Sequence, residues 1–178
     1  SVGIQPDVLV LRTEKHLGEG ILKKVASFCN VDYDCVVQSE DLPSIYEVPV
    51  NMQKQGLDTA LLRKLGVEIG ETPTLGPWKR FLERRNNATE EVVIGLVGKY
   101  VELQDAYKSI NESLFQAATY NNHKLNLVYI HSEKVDDDNV AEKLAGLDGV
   151  IIAPGFGQRG IDGKFSAIKY CREHDVPT

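Results

Sequence analysis

Val150-Ile151-Ile152-Ala153-Pro154-Gly155-Phe156-Gly157-Gln158-Arg159-Gly160 opens on an apolar run and empties into a glycine-rich turn. Phe165, Ala167, Ile168 and Cys171 follow at helical spacing. A short unbroken apolar run, then glycines, then a helix is the pattern of a buried parallel strand and its crossover. The same unit occurs twice upstream. Val92, Val93, Ile94, Leu96 and Val97 form a strand ending at Gly98, and Ala106, Tyr107, Ile110, Leu114 and Ala117 or Ala118 mark an amphipathic helix. Leu125 to Ile130 is the next strand, and Asp136, Asp137 and Asp138 precede a helix that ends near Leu144. Acidic residues suit a helix N-terminus, so the aspartate run reads as a cap rather than a metal site. Alternation of this kind predicts an α/β fold with a parallel sheet.

Working back toward the N-terminus, Val8 to Leu11 reads as a buried parallel strand, and Ile21, Leu22, Val25, Ala26 and Phe28 as a helix. Cys35 to Val37 is a second short strand, and Gly56 breaks the chain before a short helix at Leu57, Ala60, Leu61 and Leu65. Gly66, Gly70, Pro73, Gly76 and Pro77 then punctuate a connection carrying one helix, Trp78 to Arg85, with Trp78 as its packing anchor. At the other end, Asp175-Val176-Pro177-Thr178 looks like the entrance to a further strand. Ser1 is not an initiator methionine, and Gly3-Ile4-Gln5-Pro6 looks like the middle of a domain. The expectation is a piece of something longer.

The 178 residues are 42% hydrophobic and 26% charged, enough for a real core. The balance of 20 basic and 26 acidic residues gives −6, the wrong sign for a nucleic-acid polymer partner. No apolar run approaches a membrane span, and the N-terminus has no signal pattern. Cys29, Cys35 and Cys171, odd in number and without a paired motif, fit a reducing cytoplasm. His16, His123, His131 and His174 show no metal-ligand spacing, and surface imidazoles are expected.

Ligands of parallel α/β sheets sit at the C-terminal ends of strands. Three such ends stand out. Arg12 follows the first strand and can pair with phosphate or stack on a base, a surface ion pair being equally consistent with its position. Gly98-Lys99-Tyr100 follows the strand from Val92. The Pro154-Gly155-Phe156-Gly157 loop is the best local signal, because glycines admit close approach and free N–H groups can face a developing oxyanion. A plain tight turn gives the same pattern. Lys24, on the first helix, can meet a phosphate or simply be solvated.

Several segments taken together resemble the CTP synthase family. They are Gly3-Ile4-Gln5-Pro6-Asp7, Phe28-Cys29-Asn30-Val31, Ser44-Ile45-Tyr46-Glu47-Val48-Pro49, Val97-Gly98-Lys99-Tyr100-Val101-Glu102-Leu103, Asp105-Ala106-Tyr107-Lys108-Ser109 and Gly155-Phe156-Gly157-Gln158-Arg159-Gly160. They stand in the family's order and spacing across essentially the whole chain. The resemblance implies the end of a parallel-sheet amidoligase domain at 1–68, a linker at 69–91, and at 92–178 the first half of a flavodoxin-like, parallel-sheet class I glutaminase domain.

By that resemblance the parent makes CTP from UTP: ATP phosphorylates the uracil O4, and ammonia released from L-glutamine displaces the phosphate. Lys24 matches the lysine that binds UTP as substrate or CTP as feedback inhibitor. Glu40-Asp41-Leu42 matches the adenine side of the ATP site, with Arg12 nearby. Gly155 matches the glycine whose backbone meets glutamine and the oxyanion, and Phe156 packs on the glutamine chain. The resemblance further implies Mg2+ with the ATP, GTP as allosteric activator and a homo-tetrameric, cytoplasmic parent. The phosphate-binding loop, the magnesium carboxylates, the nucleophilic cysteine and its His-Glu partners are expected outside this chain, which alone is expected to be inactive. One departure is clear: the family commonly has Pro-Gly-Gly-Phe-Gly, and here Pro154 replaces the first glycine and removes that N–H. Two alternatives are a non-catalytic nucleotide-binding or assembly module, and another class I amidotransferase. The amidoligase-like segments before Asn87 oppose the second.

Overall fold

The computed structural model describes residues 3–178, the side chain of Gln104 excepted. Two compact units divide between Leu82 and Glu83, a point that falls inside the 69–91 stretch. Both are α/β, and every strand pair is parallel.

The first unit is built on β1 (Leu9–Thr13), α1 (Glu19–Cys29) and β2 (Val36–Glu40). The strands pair in register from Leu9 opposite Val36 to Thr13 opposite Glu40. Leu22 and Ala26 of α1 pack on Val36, with Leu9, Leu11, Leu17 and Val31 around them. The apolar run at Val8–Leu11 predicts burial on both faces, yet Val10 is half exposed; β1 half-buries only alternate residues because α1 packs on one face. Ile21 and Phe28 also belong to the predicted helix but point to solvent, with Phe28 91% exposed.

The free edge of β2 is covered by a side chain. Gln55 Oε1 accepts from the Gln38 N–H at 2.8 Å, and Gln55 Nε2 donates to the Gln38 carbonyl at 2.8 Å. The glutamine thus satisfies the backbone pair that another strand would take. It is presented by α2 (Val48–Lys54), which starts on Pro49 in its first turn, and α3 (Leu57–Lys64) follows after Gly56 at φ +79°. The helix α4 (Gly76–Asn87) carries Trp78, whose Nε1 donates to the Tyr46 carbonyl at 2.8 Å while its ring meets Phe81. Trp78 is a packing anchor.

The second unit has β3 (Glu90–Gly98) at the centre of a three-stranded sheet, ordered β4-β3-β5. α5 (Lys108–Tyr120) leads to β4 (His123–His131), and α6 (Val140–Lys143) leads to β5 (Gly149–Ile152) and α7 (Ile161–Glu173). One face of the sheet carries Val97, Ile130 and Val150 against Val140, Leu144, Ala167 and Cys171. The other carries Leu96 and Ala153 with Tyr107, Ile110 and Leu127. Helices therefore cover both faces, the arrangement that turns parallel strands into continuous apolar runs. Asp136 Oδ1 accepts the Asp138 and Asn139 N–H groups at 3.1 and 2.9 Å, so the aspartate run caps the turn before α6. The Pro177 carbonyl accepts the Val150 N–H at 2.8 Å, which lays residue 177 along the outer edge of β5.

Candidate functional site

In the first unit the C-terminal ends of β1 and β2 lie side by side. Arg12 Nη1 pairs with the Asp41 carboxylate and donates to the Ser39 carbonyl at 3.4 Å. The Asp41 N–H extends the ladder to the Thr13 carbonyl at 3.0 Å. Glu40 Oε1 lies 2.9 Å from His16 Nδ1. Arg12, Glu40 and Asp41 thus form one polar rim at the C-terminal ends of β1 and β2, with Leu42 half-buried behind it. Lys24 makes none of these contacts and lies on the exposed face of α1.

A triad of metal-ligating types, Asp32, Asp34 and Cys35, occurs elsewhere in this unit. Its acids are already taken: Lys64 Nζ is 2.7 Å from Asp32 and Arg63 Nη1 is 2.5 Å from Asp34. The Arg63 hydrogen bond pulls the Asp34 carboxyl below its ordinary range. Two occupied carboxylates and a soft thiol do not fit Mg2+, which wants free oxygen ligands. Among the described residues this is the only such group.

In the second unit the glycine-rich loop follows β5 directly. Residues 154–159 are exposed, and Phe156 is 98% exposed. Lys99, at the end of β3, is buried and donates from Nζ to the Phe156 carbonyl. Lys164, one turn into α7, donates from Nζ to the Ala153 carbonyl at 2.7 Å. Both nitrogens lie 3.8 Å from the point that a Cβ on Gly155 would occupy, and Lys99 Cε lies 3.2 Å from it. Burial pushes the Lys164 ammonium below its ordinary range, and the charge on Lys99 pushes the same way.

Lys99 is itself placed by Tyr107. The phenol oxygen accepts the N–H of Lys99 at 3.1 Å and of Tyr100 at 3.2 Å. Gly98 must lack a side chain for this, because a Cβ there would meet the phenol ring. Arg159 donates from Nη2 to the Lys99 carbonyl at 3.1 Å and pairs through Nε with Glu133 at 2.9 Å. The guanidinium also lies 5.4 Å from the Tyr100 ring centre. His131, expected at the surface, is largely covered and faces Glu102 at 3.6 Å, because β4 lies beside β3 at this end. The buried thiols are elsewhere: Cys35 in the first unit, and Cys171 on the core-facing side of α7.

The structure therefore joins Gly155 and Phe156 to Lys99, a strand end the sequence singles out. Lys164 and Tyr107 are additions. The sequence reads Tyr107 as an apolar helix position and as part of a family-like segment, whereas it stands in a 3-10 turn just before α5, and Lys164 gives no signal beyond its place on α7.

Comparison with known proteins gives a consistent result for both units. A family model described as CTP synthase N-terminus matches residues 1–67, and one described as glutamine amidotransferase class-I matches residues 102–178. The CTP synthase of Bacteroides thetaiotaomicron is 63% identical over 180 residues, covering 100% of this chain. The chain belongs to the CTP synthase family. The CTP synthase of Porphyromonas gingivalis is 62% identical over 99% of the chain, and that of Christiangramia forsetii 51% over 98%. The chain spans about a third of the length of the curated CTP synthases it matches, 33% for the Bacteroides relative. The parallel sheets agree with an amidoligase end followed by a flavodoxin-like glutaminase half. No helix among the described residues is long and apolar enough to cross a membrane.

Proposed function

We propose that this chain works as part of an enzyme that aminates UTP to CTP, using ATP to activate the pyrimidine and L-glutamine as the nitrogen source. On this reading residues 1–68 close the amidoligase domain, 69–91 connect, and 92–178 begin the glutaminase domain. The observation that carries the proposal is the 62–63% identity to CTP synthases, which extends over both units.

Each site then has a task. The exposed ammonium of Lys24 offsets the triphosphate charge of UTP or of CTP bound as inhibitor. Arg12 offers a planar, permanently charged face beside the adenine side formed by Glu40, Asp41 and Leu42. The Gly155 N–H faces the oxygen of the glutamine amide as it gains charge, and the Phe156 ring covers the substrate chain. Pro154 shapes the turn without donating. None of Cys29, Cys35 and Cys171 serves as the glutaminase nucleophile. ATP is accompanied by Mg2+ and GTP acts as activator in this reading, in a cytoplasmic tetramer. No residue described above is assigned to the metal.

The test uses the full-length protein that contains this chain, assayed for CTP formed from UTP and ATP with glutamine or ammonium. Lys24→Ala is expected to weaken UTP and CTP binding by about 1.5–3 kcal/mol, the usual size of a charge-assisted contact, while glutamine hydrolysis stays near the parental rate. Unchanged UTP and CTP affinities would remove Lys24 from the site. Absence of CTP formation from either nitrogen source would refute the functional reading itself.

A further inference from the structure

The loop after β5 owes little of its shape to its own backbone. Ala153 is anchored through its N–H to the Val97 carbonyl at 2.9 Å, and the next backbone bond is Ile161 N–H to the Gln158 carbonyl at 3.2 Å. Between them the Gly155 N–H takes no backbone acceptor among the described residues. What fixes the turn instead is a pair of ammonium groups. The carbonyls on either side of Pro154–Gly155 are held inward, Ala153 by Lys164 and Phe156 by Lys99. The Lys99 stem fills the space behind Gly155, where a Cβ would lie 3.2 Å from Cε.

Neither ammonium has a carboxylate partner among the described residues: Lys99 meets a carbonyl and the Tyr100 ring at 5.3 Å, and Lys164 meets a carbonyl. Two partly desolvated cations without a counter-ion create a positive potential that an anion at Gly155 relieves. The amide oxygen of a bound glutamine becomes such an anion when a thiolate adds to the carbonyl carbon and the π electrons move to oxygen.

We infer that Lys99 is a positioning residue for glutamine hydrolysis, holding the Gly155 N–H toward the developing oxyanion, with Lys164 securing the other end of the turn. This rests on the function proposed above. Lys99 acts through the loop rather than by touching substrate, so its loss affects the transition state more than ground-state binding.

The experiment compares Lys99→Met, Lys99→Arg and Lys164→Met in the full-length enzyme. Lys99→Met is expected to lower glutaminase kcat by ~10²-fold, comparable to losing one oxyanion donor, with KM for glutamine within about threefold. Inhibition by L-glutamate γ-semialdehyde, whose thiohemiacetal carries the same oxyanion, weakens in parallel. Lys99→Arg recovers at least a tenth of the parental rate, Lys164→Met costs less than Lys99→Met, and ammonia-driven CTP formation is unchanged in all three. The amide chemical shifts of Gly155 and Gly157, read by NMR on glycine-labelled protein, move in Lys99→Met whatever the activity of the protein. The inference is overturned by parental kcat in Lys99→Met, by a rise in KM alone, by joint loss of ammonia-driven synthesis, or by unmoved amide shifts at the loop. An unmutated protein that makes no CTP, yet shows the shift change on mutation, would refute the functional reading and leave the clamp itself standing.

Discussion

Tyr107→Phe isolates one oxygen on which the second unit depends. The phenol is buried, and its ring packs with Leu96 and Ala153. Replacement by phenylalanine keeps those contacts and removes only the acceptor shared by the N–H groups of Lys99 and Tyr100. The two donors are not equal. Lys99 is 6% exposed, so its N–H loses its acceptor where water has little access; Tyr100 is 41% exposed and can be hydrated. The loss is therefore close to that of one buried donor left unpaired, about 1–3 kcal/mol. Two readouts separate this from a general loosening. Urea unfolding followed by circular dichroism should show a lower midpoint, while fluorescence of Trp78, which packs on Tyr46 and Phe81 in the first unit, should keep its own transition. Hydrogen exchange should speed up at the Lys99 amide and less at its neighbours. A protected Lys99 amide with an unmoved midpoint would refute the reasoning, because another acceptor would then be serving that N–H.

Gly163→Ala places a methyl group against the carbonyl oxygens of Ser132 and Val135, both backbone and unable to swing aside. Displacement of α7 should cost about 1–3 kcal/mol, the range for overpacking, read as a lower urea midpoint; a parental midpoint would show that α7 packs less closely. A pH effect follows from Lys164, whose ammonium burial holds below the ordinary 10.5. Between the lowered folded value and 10.5 the unfolded chain binds more protons, so stability gains a rising contribution as pH climbs through that window. Lys164→Met should remove that rise in urea midpoints measured from neutral to alkaline pH, and an identical pH profile in the variant would contradict it.

The strands of the second unit are legible because each carries an apolar run, unbroken in β3 and β5 and interrupted in β4 by Lys124 and Asn126 on its exposed face. Val92–Val97, Leu125–Ile130 and Val150–Ile152 all lie within the observed strands. Legibility fell where a surface is covered by something other than a helix. Gln55 closes the edge of β2 with a side-chain amide, and no hydropathy pattern announces that. No apolar spacing announces α2, and Pro49 suits a helix only because it falls in the first turn. Phe28 looked like core by spacing and is exposed. At the candidate sites, strand ends pointed to Arg12, Lys99 and Gly155, since topology alone brings them to the rim. Lys164 gave no signal, because a lysine on a helix reads as solvated until the loop folds over it.

On the function proposed above, the loop after β5 handles the glutamine amide and no other part of the reaction. Gly155→Pro in the full-length protein tests it most directly, since proline deletes the one N–H assigned to the oxyanion. Glutamine-dependent CTP formation should fall by ~10²–10³-fold, the usual cost of one oxyanion-hole donor, while ammonia-dependent formation survives. Parental glutamine-dependent rates in Gly155→Pro would contradict the account, as would equal loss with both nitrogen sources in a protein that remains folded.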